Sequence, residues 1–348
     1  MLKKKIALVL ALAMTASLAL AGCGGGGGTG SSGGSSSGSG AGAQTGGEKT
    51  TQVLATGGTT GTYYSVGSTM MNTLNDKLTM TSLEVTSTGA SKDNVQGITD
   101  DLYGLAILQS DVLTYAHEGT NVFTEPETDA LWVAGLYNET VQITAVGGIT
   151  SVEDLRGKSV CVGDVGSGTE FNAQQVLDAY GMTFDDIDAV HTDFGGASEM
   201  LKNGQIDAAF TVAGAPTTAI TELATSGMDF SMVSLDQEHV DIITDKYHFL
   251  VQENLPAGTY QGVDTETICV AVQAVLVAST DMSEDAVYEL TKAMYENQEA
   301  LASGNAKFEL LNPVTAVSGA SVPLHPGALK YYQEIGVLDA DGNLVEQA

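Results

Sequence analysis

Four loops of this chain are rich in glycine, serine and threonine, and each leads directly into a predicted helix. They are Thr56–Tyr64, Ser87–Ser91, Gln109–Asp111 and Gly163–Glu170. The first backbone N–H groups of a helix have no partner inside it, and the helix dipole favours a negative group beside them. These loops therefore predict an anion-binding site. Because Arg156 is the only arginine in the chain, we expect neutral donors, not a guanidinium group, to hold the anion.

Several of these residues also fit a purely structural role. Ser167 and Glu170 have the spacing of a capping box, which stabilises a helix start in the absence of any ligand. Packing of a helix start into the core is the alternative for Tyr63–Tyr64, and helix capping is the alternative for Gln109–Ser110. The residue types alone leave both interpretations open.

The sequence contains no pattern that predicts catalysis, a metal site or a cofactor. Its five histidines form neither an H-E-x-x-H motif nor a zinc-binding His/Cys spacing. Gly166–Gly168 partly match the dinucleotide fingerprint, but Phe171 stands where the third glycine belongs. Gly30–Gly34 match the pattern G-x-S-x-G, although no predicted strand or helix flanks them. We therefore predict that the protein is not an enzyme and binds no metal or cofactor.

Composition and charge exclude further classes of function. The 348 residues include 43 Asp and Glu against 13 Lys and Arg, which gives a formal charge of −30. Nucleic acid is excluded as a partner, because phosphate backbones are bound by clustered lysine and arginine. Cys161 and Cys269 lie in β-branched apolar runs, where buried free thiols are favoured over a disulfide.

The first fifty residues have the features of an export signal followed by a flexible linker. Three lysines precede the apolar run Ile6–Leu20, which predicts a signal peptide over residues 1–22. The sequence Leu20-Ala21-Gly22-Cys23 resembles the bacterial lipobox, in which the cysteine is acylated, and the alternative is an ordinary signal peptide with a chance cysteine. Residues 23–50, mostly glycine and serine, predict a flexible tether. We therefore predict an extracytoplasmic location, lipid-anchored through Cys23 to the bacterial cell membrane.

From Thr51 onward, short apolar runs alternate with amphipathic stretches. The alternation predicts an α/β fold with mostly parallel sheets. Separate strands are predicted over Trp132–Leu136 and Gln142–Val146, and Thr267–Ala278 predicts a central strand buried on both faces. The longest predicted helix spans Ser283–Ala302.

Two such series along one chain predict two lobes. We place the chain crossings between the lobes near residues 137–142 and 262–268. The first lobe then comprises residues 51–140 together with 266–348, and the second lobe comprises residues 141–265. Ligands of open α/β sheets bind beyond the carboxyl ends of the strands, so we expect the site in a cleft between the lobes.

Eight short motifs follow one another between about Val53 and Gly336. They are Ala55–Tyr64, Ser87–Asn94, Ala106–Asp111, Gly135–Gln142, Ser151–Lys158, Gly166–Asn172, Gly204–Pro216 and His325–Ala328. Each motif is weak alone. Together and in this order they resemble the TAXI (TRAP-associated extracytoplasmic immunogenic) solute receptors of tripartite ATP-independent periplasmic (TRAP) transporters.

The resemblance implies a two-lobed clamshell like that of type II periplasmic binding proteins. Such a receptor closes on a small-molecule carboxylate such as glutamate, glutamine or 2-oxoglutarate, and delivers it to separate TRAP membrane subunits. Ten positions that match the family motifs imply ligand contacts: Thr62, Tyr63, Ser87, Gly89, Gln109, Ser110, Ser167, Gly168, Thr169 and Ala215.

The chain departs from the family pattern at two positions. Ser65 stands where the family usually has proline after the two tyrosines, which affects the loop beneath the ligand. Gln273 stands where proline is common in the returning strand, which affects hinge bending.

Two rival functions are compatible with a lipid-anchored binding domain. One is a sensory module that reports the ligand to a membrane kinase. The other is a lipid-anchored hydrolase, which requires a nucleophile beside a base in the cleft.

Overall fold

Strands and helices alternate along most of the described residues, and four helices follow the last strand. The computed structural model describes residues 49–345, so the predicted signal peptide, the acylated Cys23 and nearly all of the linker lie outside the described residues. Within 49–345 the strands are β1 Thr50–Ala55, β2 Thr81–Thr86, β3 Leu105–Gln109, β4 Ala130–Ala145, β5 Ser159–Cys161, β6 Asp188–Val190, β7 Ala208–Ala213, β8 Ser231–Met232, β9 Val251–Gln252 and β10 Val270–Ser279. The helices are α1 Thr62–Leu74, α2 Ser91–Thr99, α3 Ser110–Glu118, α4 Gly168–Ala179, α5 Phe194–Lys202, α6 Thr218–Thr225, α7 Gln237–Lys246, α8 Glu284–Glu296, α9 Gln298–Gly304, α10 Thr315–Ser318 and α11 Pro326–Glu334.

The strands form a mixed sheet in the order β2-β1-β3-β10-β4-β7-β5-β6, with β8 paired to β4 and β9 paired to β10. Strands β2, β1 and β3 are parallel, and so are β7, β5 and β6. The predicted α/β class is confirmed. The prediction of a mostly parallel sheet is wrong, because β10 is antiparallel to β3 and β4, and β4 is antiparallel to β7. The parallel group β2-β1-β3 therefore runs in the opposite direction to the parallel group β7-β5-β6, and strands β10 and β4 lie between them.

The strand β4 is the longest element of the sheet and joins its two halves. We expected two strands with a break near residues 137–142, whereas Ala130–Ala145 is continuous. The break is absent because this segment is paired throughout: Tyr137 and Thr140 lie opposite Ala274 and Ala271 of β10, and residues 140–145 pair with β7.

Strand β10 crosses between two hydrophobic cores. The first core draws its side chains from residues 54–137 and 274–338, and the second from residues 141–272. Along one face of β10, Val270 and Val272 pack in the second core, while Ala274, Leu276 and Ala278 pack in the first. The change of core along β10 falls between residues 272 and 274, beyond the predicted crossing near 262–268, which stays a prediction. The lobe bounds themselves stay a prediction.

The helices pack on these cores through apolar side chains at helical spacing. The predicted helix over residues 283–302 is instead two helices, α8 and α9, separated at Asn297. The Asn297 side chain donates to the carbonyl of Ala293 at 2.8 Å, a local hydrogen bond of the kind that competes with helix continuation. Helix α11 begins at Pro326 as predicted, after His325, whose ring accepts a hydrogen bond from the N–H of Gly327. No helix between residues 49 and 345 combines the length and apolar character that a membrane crossing needs.

Candidate ligand-binding cleft

A cleft with about 480 Å³ of empty space, partly open to solvent, is lined by segments from both sides of the central strands. From residues 57–139 come the loop after β1, the starts of α1 and α2, and the end of β3. From residues 164–213 come the starts of α4 and α5 and the end of β7. Four helix N-termini therefore border one space, which concentrates backbone donors there.

Six of the ten predicted ligand residues line this cleft, and four do not. The lining residues are Thr62, Tyr63, Gln109, Ser167, Gly168 and Thr169. The others lie outside the lining: Ser87 is exposed, the N–H of Gly89 donates to Asp93, Ser110 is buried at the start of α3, and the carbonyl of Ala215 accepts from Lys307. The ligand role of all ten stays a prediction.

Ser167 caps helix α4, as its spacing predicts. Its side-chain oxygen accepts a hydrogen bond from the backbone N–H of Glu170 at 3.2 Å. The carboxylate of Glu170 accepts from the N–H of Gly166 at 2.6 Å and contacts the ring of His191 at 2.9 Å. The hydroxyl hydrogen of Ser167 is therefore free to donate into the cleft, and the N–H groups of Gly168 and Thr169 open the helix beside it.

Gly168 lies against Gln109 across the cleft. A Cβ atom at position 168 would come within 2.0 Å of the Gln109 side-chain amide group. Gln109 ends β3, whereas Gly168 begins α4, so this approach joins segments on opposite sides of the central strands. Only glycine fits at position 168 with Gln109 in its present place.

Thr62 makes a second contact across the cleft. Its hydroxyl donates to the carbonyl of Gly214 at 3.0 Å, just after β7. Its neighbour Tyr63 is buried and donates its hydroxyl to Glu139 Oε2 at 2.5 Å. Tyr63 therefore packs into the hydrophobic core, which is its structural alternative, and also lines the cleft. Ser65, the first departure from the family pattern, donates to the carbonyl of Thr62 and accepts from Asn305.

Glu139 is a cleft residue that the sequence prediction missed. It lies in β4, is 1% exposed and lines the cleft beside Tyr63. Burial raises the pKa of the Glu139 carboxyl well above its usual value, while the hydrogen bond from Tyr63 opposes that shift. Burial and the adjacent Glu139 in turn raise the pKa of Tyr63.

The cleft is lined by three acidic residues and, among the described residues, by no lysine or arginine. The acids are Glu139, Asp164 and Asp193. Burial, followed by the charges of Asp193 and Asp93, raises the pKa of Asp164. Asp193 caps helix α5 by accepting from the N–H of Gly196 at 2.7 Å. These acidic side chains were not foreseen from the sequence, and the holding of an anion by neutral donors stays a prediction.

A buried polar network joins α3 to α4 beside the cleft. Asp111 is 1% exposed, and its carboxylate accepts from the Asn172 side chain at 3.3 Å and from the N–H of Val112 at 2.8 Å. Gln175 donates to the hydroxyl of Tyr115 at 3.2 Å. Burial raises the pKa of Asp111 to about 6, although these hydrogen bonds favour its charged form.

Signals for the missed residues exist in the sequence. Glu139 is the one charged residue in the stretch Ala130–Ala145, where a buried charge requires a specific partner. Asp193 precedes a helix start, a pattern typical of an N-cap. Neither pattern specifies that the side chain faces the same space as Ser167.

The described residues form no group of three or more His, Cys, Asp and Glu side chains that could hold a metal ion. A hydrolase would need a nucleophile beside a base in the cleft. Within residues 49–345 no histidine lines the cleft beside Ser167, whose side-chain oxygen accepts a hydrogen bond from the Glu170 N–H. Cys161 and Cys269 are buried free thiols, as predicted.

Comparison with protein-family models shows a match over residues 54–336 to the one described as the NMT1-like family. Among solved structures, the chain is similar to the periplasmic aliphatic sulphonate binding protein SsuA from Escherichia coli, with 13% identity and a TM-score of 0.47 over 82% of this chain and 84% of that one.

Two further solved structures are similar at comparable levels. The first is PhnD1 from Prochlorococcus marinus in complex with methylphosphonate, with 11% identity and a TM-score of 0.48 over 74% of this chain and 90% of that one. The second is an ancestral arginine-binding protein bound to arginine, with 14% identity and a TM-score of 0.45 over 76% and 98%. At these identities the likeness concerns the fold alone.

Proposed function

This chain belongs to the NMT1-like family, and we propose that it is an extracytoplasmic receptor that captures a small carboxylate. In this proposal it is the TAXI-type solute-binding subunit of a TRAP transporter. It delivers the solute to membrane subunits and is held near them by a lipid on Cys23.

One observation carries the proposal: helix N-termini and hydroxyl groups from both sides of the central strands border a single cleft. Ser167, Gly168 and Thr169 supply donors at the start of α4, and the backbone N–H groups of Thr62 and Tyr63 do so at the start of α1. A carboxylate between them receives hydrogen bonds from backbone N–H groups that have no partner within their own helix. Such bonds to a charged acceptor are stronger than neutral ones.

Closure around the solute follows from the contacts that cross the cleft. Thr62 with Gly214, Gln109 with Gly168 and Asp111 with Asn172 join the two sides in the present structure. A solute that contacts both sides stabilises this closed arrangement over an open one, whereas a solute bound to one side alone has no such preference. The central strands β4 and β10 supply the hinge.

Calorimetry and small-angle X-ray scattering test the proposal together. The chain lacking residues 1–23 is titrated with 2-oxoglutarate, glutarate, L-glutamate and L-glutamine, and then with other amino acids and organic acids. We expect at least one acid to bind and to reduce the radius of gyration, and its methyl ester to bind weakly. Binding of no acid, or binding with an unchanged radius of gyration, contradicts the proposal.

The anchor and the partner are tested separately. Cys23→Ala should move the protein from the membrane fraction to the soluble extracytoplasmic fraction, because the only acylated residue of the proposal is then lost. Neighbouring genes for multi-span carrier subunits support the transporter. A neighbouring gene for a membrane kinase instead supports a sensory module.

A further inference from the structure

Glu139 is a carboxylate buried at the cleft with one free oxygen. It is 1% exposed, and the Tyr63 hydroxyl donates to its Oε2 atom at 2.5 Å. Within residues 49–345 no hydrogen bond reaches the Oε1 atom, although Glu139 lines the cleft. Because the Oε1 atom borders the cleft and has no hydrogen-bond partner among the described residues, it is available to a donor that enters the cleft.

The surrounding charges do not neutralise Glu139. Lys307 is close enough to favour its ionised form, but the lysine Nζ donates to the carbonyl of Ala215 at 2.5 Å, and no ion pair between described residues joins Lys307 to Glu139. Asp111 acts on Glu139 in the opposite sense, because two carboxylates repel each other. A second anionic group is therefore disfavoured beside the ionised form of Glu139, whereas a cation stabilises that form.

We infer that Glu139 selects the solute by accepting a hydrogen bond from a protonated amine, so that the captured acid also carries an ammonium group. The inference rests on the proposed capture of a small carboxylate and adds a second recognised group to it. In this arrangement the solute carboxylate meets the N–H groups that open the cleft helices, and its ammonium group meets Glu139. Asp164 and Asp193 add negative charge to the same cleft.

Paired ligands test this role directly. Calorimetry compares amino acids, headed by L-glutamate and L-glutamine, with analogues that carry hydrogen in place of the amino group, such as glutarate for L-glutamate. For the amino acid that binds best, we expect the wild-type protein to prefer it over its analogue by about 10- to 100-fold, the usual effect of a hydrogen bond to a charged group. In Glu139→Gln the preference should fall close to one.

Glu299→Gln is the matched control, because it removes an exposed carboxylate from α9, away from the cleft. It should keep the wild-type preference. A wild-type protein that binds the analogue or 2-oxoglutarate as tightly as the amino acid overturns the role of Glu139 but leaves carboxylate capture intact. If none of the acids binds, the proposed function fails and this inference fails with it.

Glu139→Gln is expected to fold, because a glutamine oxygen still accepts from Tyr63 and no charge is buried. Should it fail to fold, Tyr63→Phe removes the hydroxyl that positions Glu139, and the preference should again fall. In Tyr63→Phe an unchanged preference overturns the inference.

Proton linkage gives an independent readout in the wild-type protein. The groups facing Glu139 are Tyr63 from α1, Tyr137 from β4, Asp111 from α3 and Lys307. Burial raises the pKa of Glu139, so a bound ammonium group should drive its proton off. Titrations in buffers of different ionisation enthalpy should then show proton release and an affinity that rises with pH. Proton uptake on binding contradicts the inference.

Discussion

At the scale of single residues, Ser167 has two separable tasks. Its oxygen caps α4 through the Glu170 N–H, and its hydroxyl hydrogen is placed to donate into the cleft. Ser167→Ala should lower the free energy of unfolding by about 1 kcal/mol through the lost cap. It should weaken solute binding by about 0.5–1.5 kcal/mol through the lost donor. Urea unfolding and calorimetry measure the two effects.

Ser167→Gly separates those tasks, because glycine is a tolerable N-cap residue that costs only a few tenths of a kcal/mol. We expect it to restore most of the stability and none of the binding. A melting temperature that falls in Ser167→Ala with unchanged affinity would show that Ser167 is a cap and nothing more.

Asp111 makes stability depend on pH. Burial raises its pKa from 3.8 to about 6, so the folded state holds this proton more tightly than the unfolded state. The free energy of unfolding should therefore fall as pH rises from about 4 to 6, by up to about 3 kcal/mol, and this contribution should level off above that window. Asp111→Asn should lose this contribution and gain stability relative to wild type across the same window.

Urea unfolding at several pH values between 4 and 8 checks that difference. Asp229→Asn, at an exposed loop position, is the control and should track the wild type. A stability difference between Asp111→Asn and wild type that does not change with pH would refute the assignment.

At the scale of elements, helices α8 and α11 approach each other through Gly327. A Cβ atom there would lie 2.2 Å from the carbonyl oxygen of Glu284 and 2.5 Å from the nitrogen of Tyr288. Gly327→Ala must therefore push the helices apart, and we expect it to cost about 1–3 kcal/mol. Gly304→Ala should cost less, because its Cβ would meet a threonine methyl group at 2.9 Å. Thermal unfolding compares the stability loss of the two variants, and a larger loss in Gly304→Ala would contradict this packing.

Element type could be predicted from local pattern, whereas element length could not. Pro326 marks the start of α11, and the apolar residues of β10 mark a buried strand, because both signals are local. The continuity of β4 depends on strands β7 and β10, which are distant in sequence. The separation of α8 from α9 comes at Asn297, a residue that also occurs inside ordinary helices.

At the scale of the whole molecule, Gly168 allows the two sides of the cleft to meet. Gly168→Ala places a methyl group against the buried Gln109 side chain, at 2.0 Å from its amide group. We expect at least a tenfold loss of affinity, and a smaller decrease in radius of gyration on addition of solute. Gly304→Ala, in α9 and outside the cleft lining, is the control and should keep the wild-type affinity. Unimpaired closure in Gly168→Ala would contradict the role of this contact.

The candidate site could be predicted in part for the same reason. Loops that begin helices carry their signal in glycine and hydroxyl residues, so Thr62, Ser167 and Gly168 were found. Glu139 comes from the middle of a strand, and its place at the cleft depends on how α1 packs over β4. The position of Ala215 outside the lining depends likewise on tertiary packing, since Lys307 reaches its carbonyl from a distant segment.

A crystal structure of the chain lacking residues 1–23, grown with the acid that calorimetry selects, tests carboxylate capture most directly. We predict that the carboxylate lies about 3 Å from the N–H of Gly168 or Thr169, and that the same molecule contacts the start of α1. An acid that binds outside this cleft, or that contacts only one of its two sides, would contradict the account.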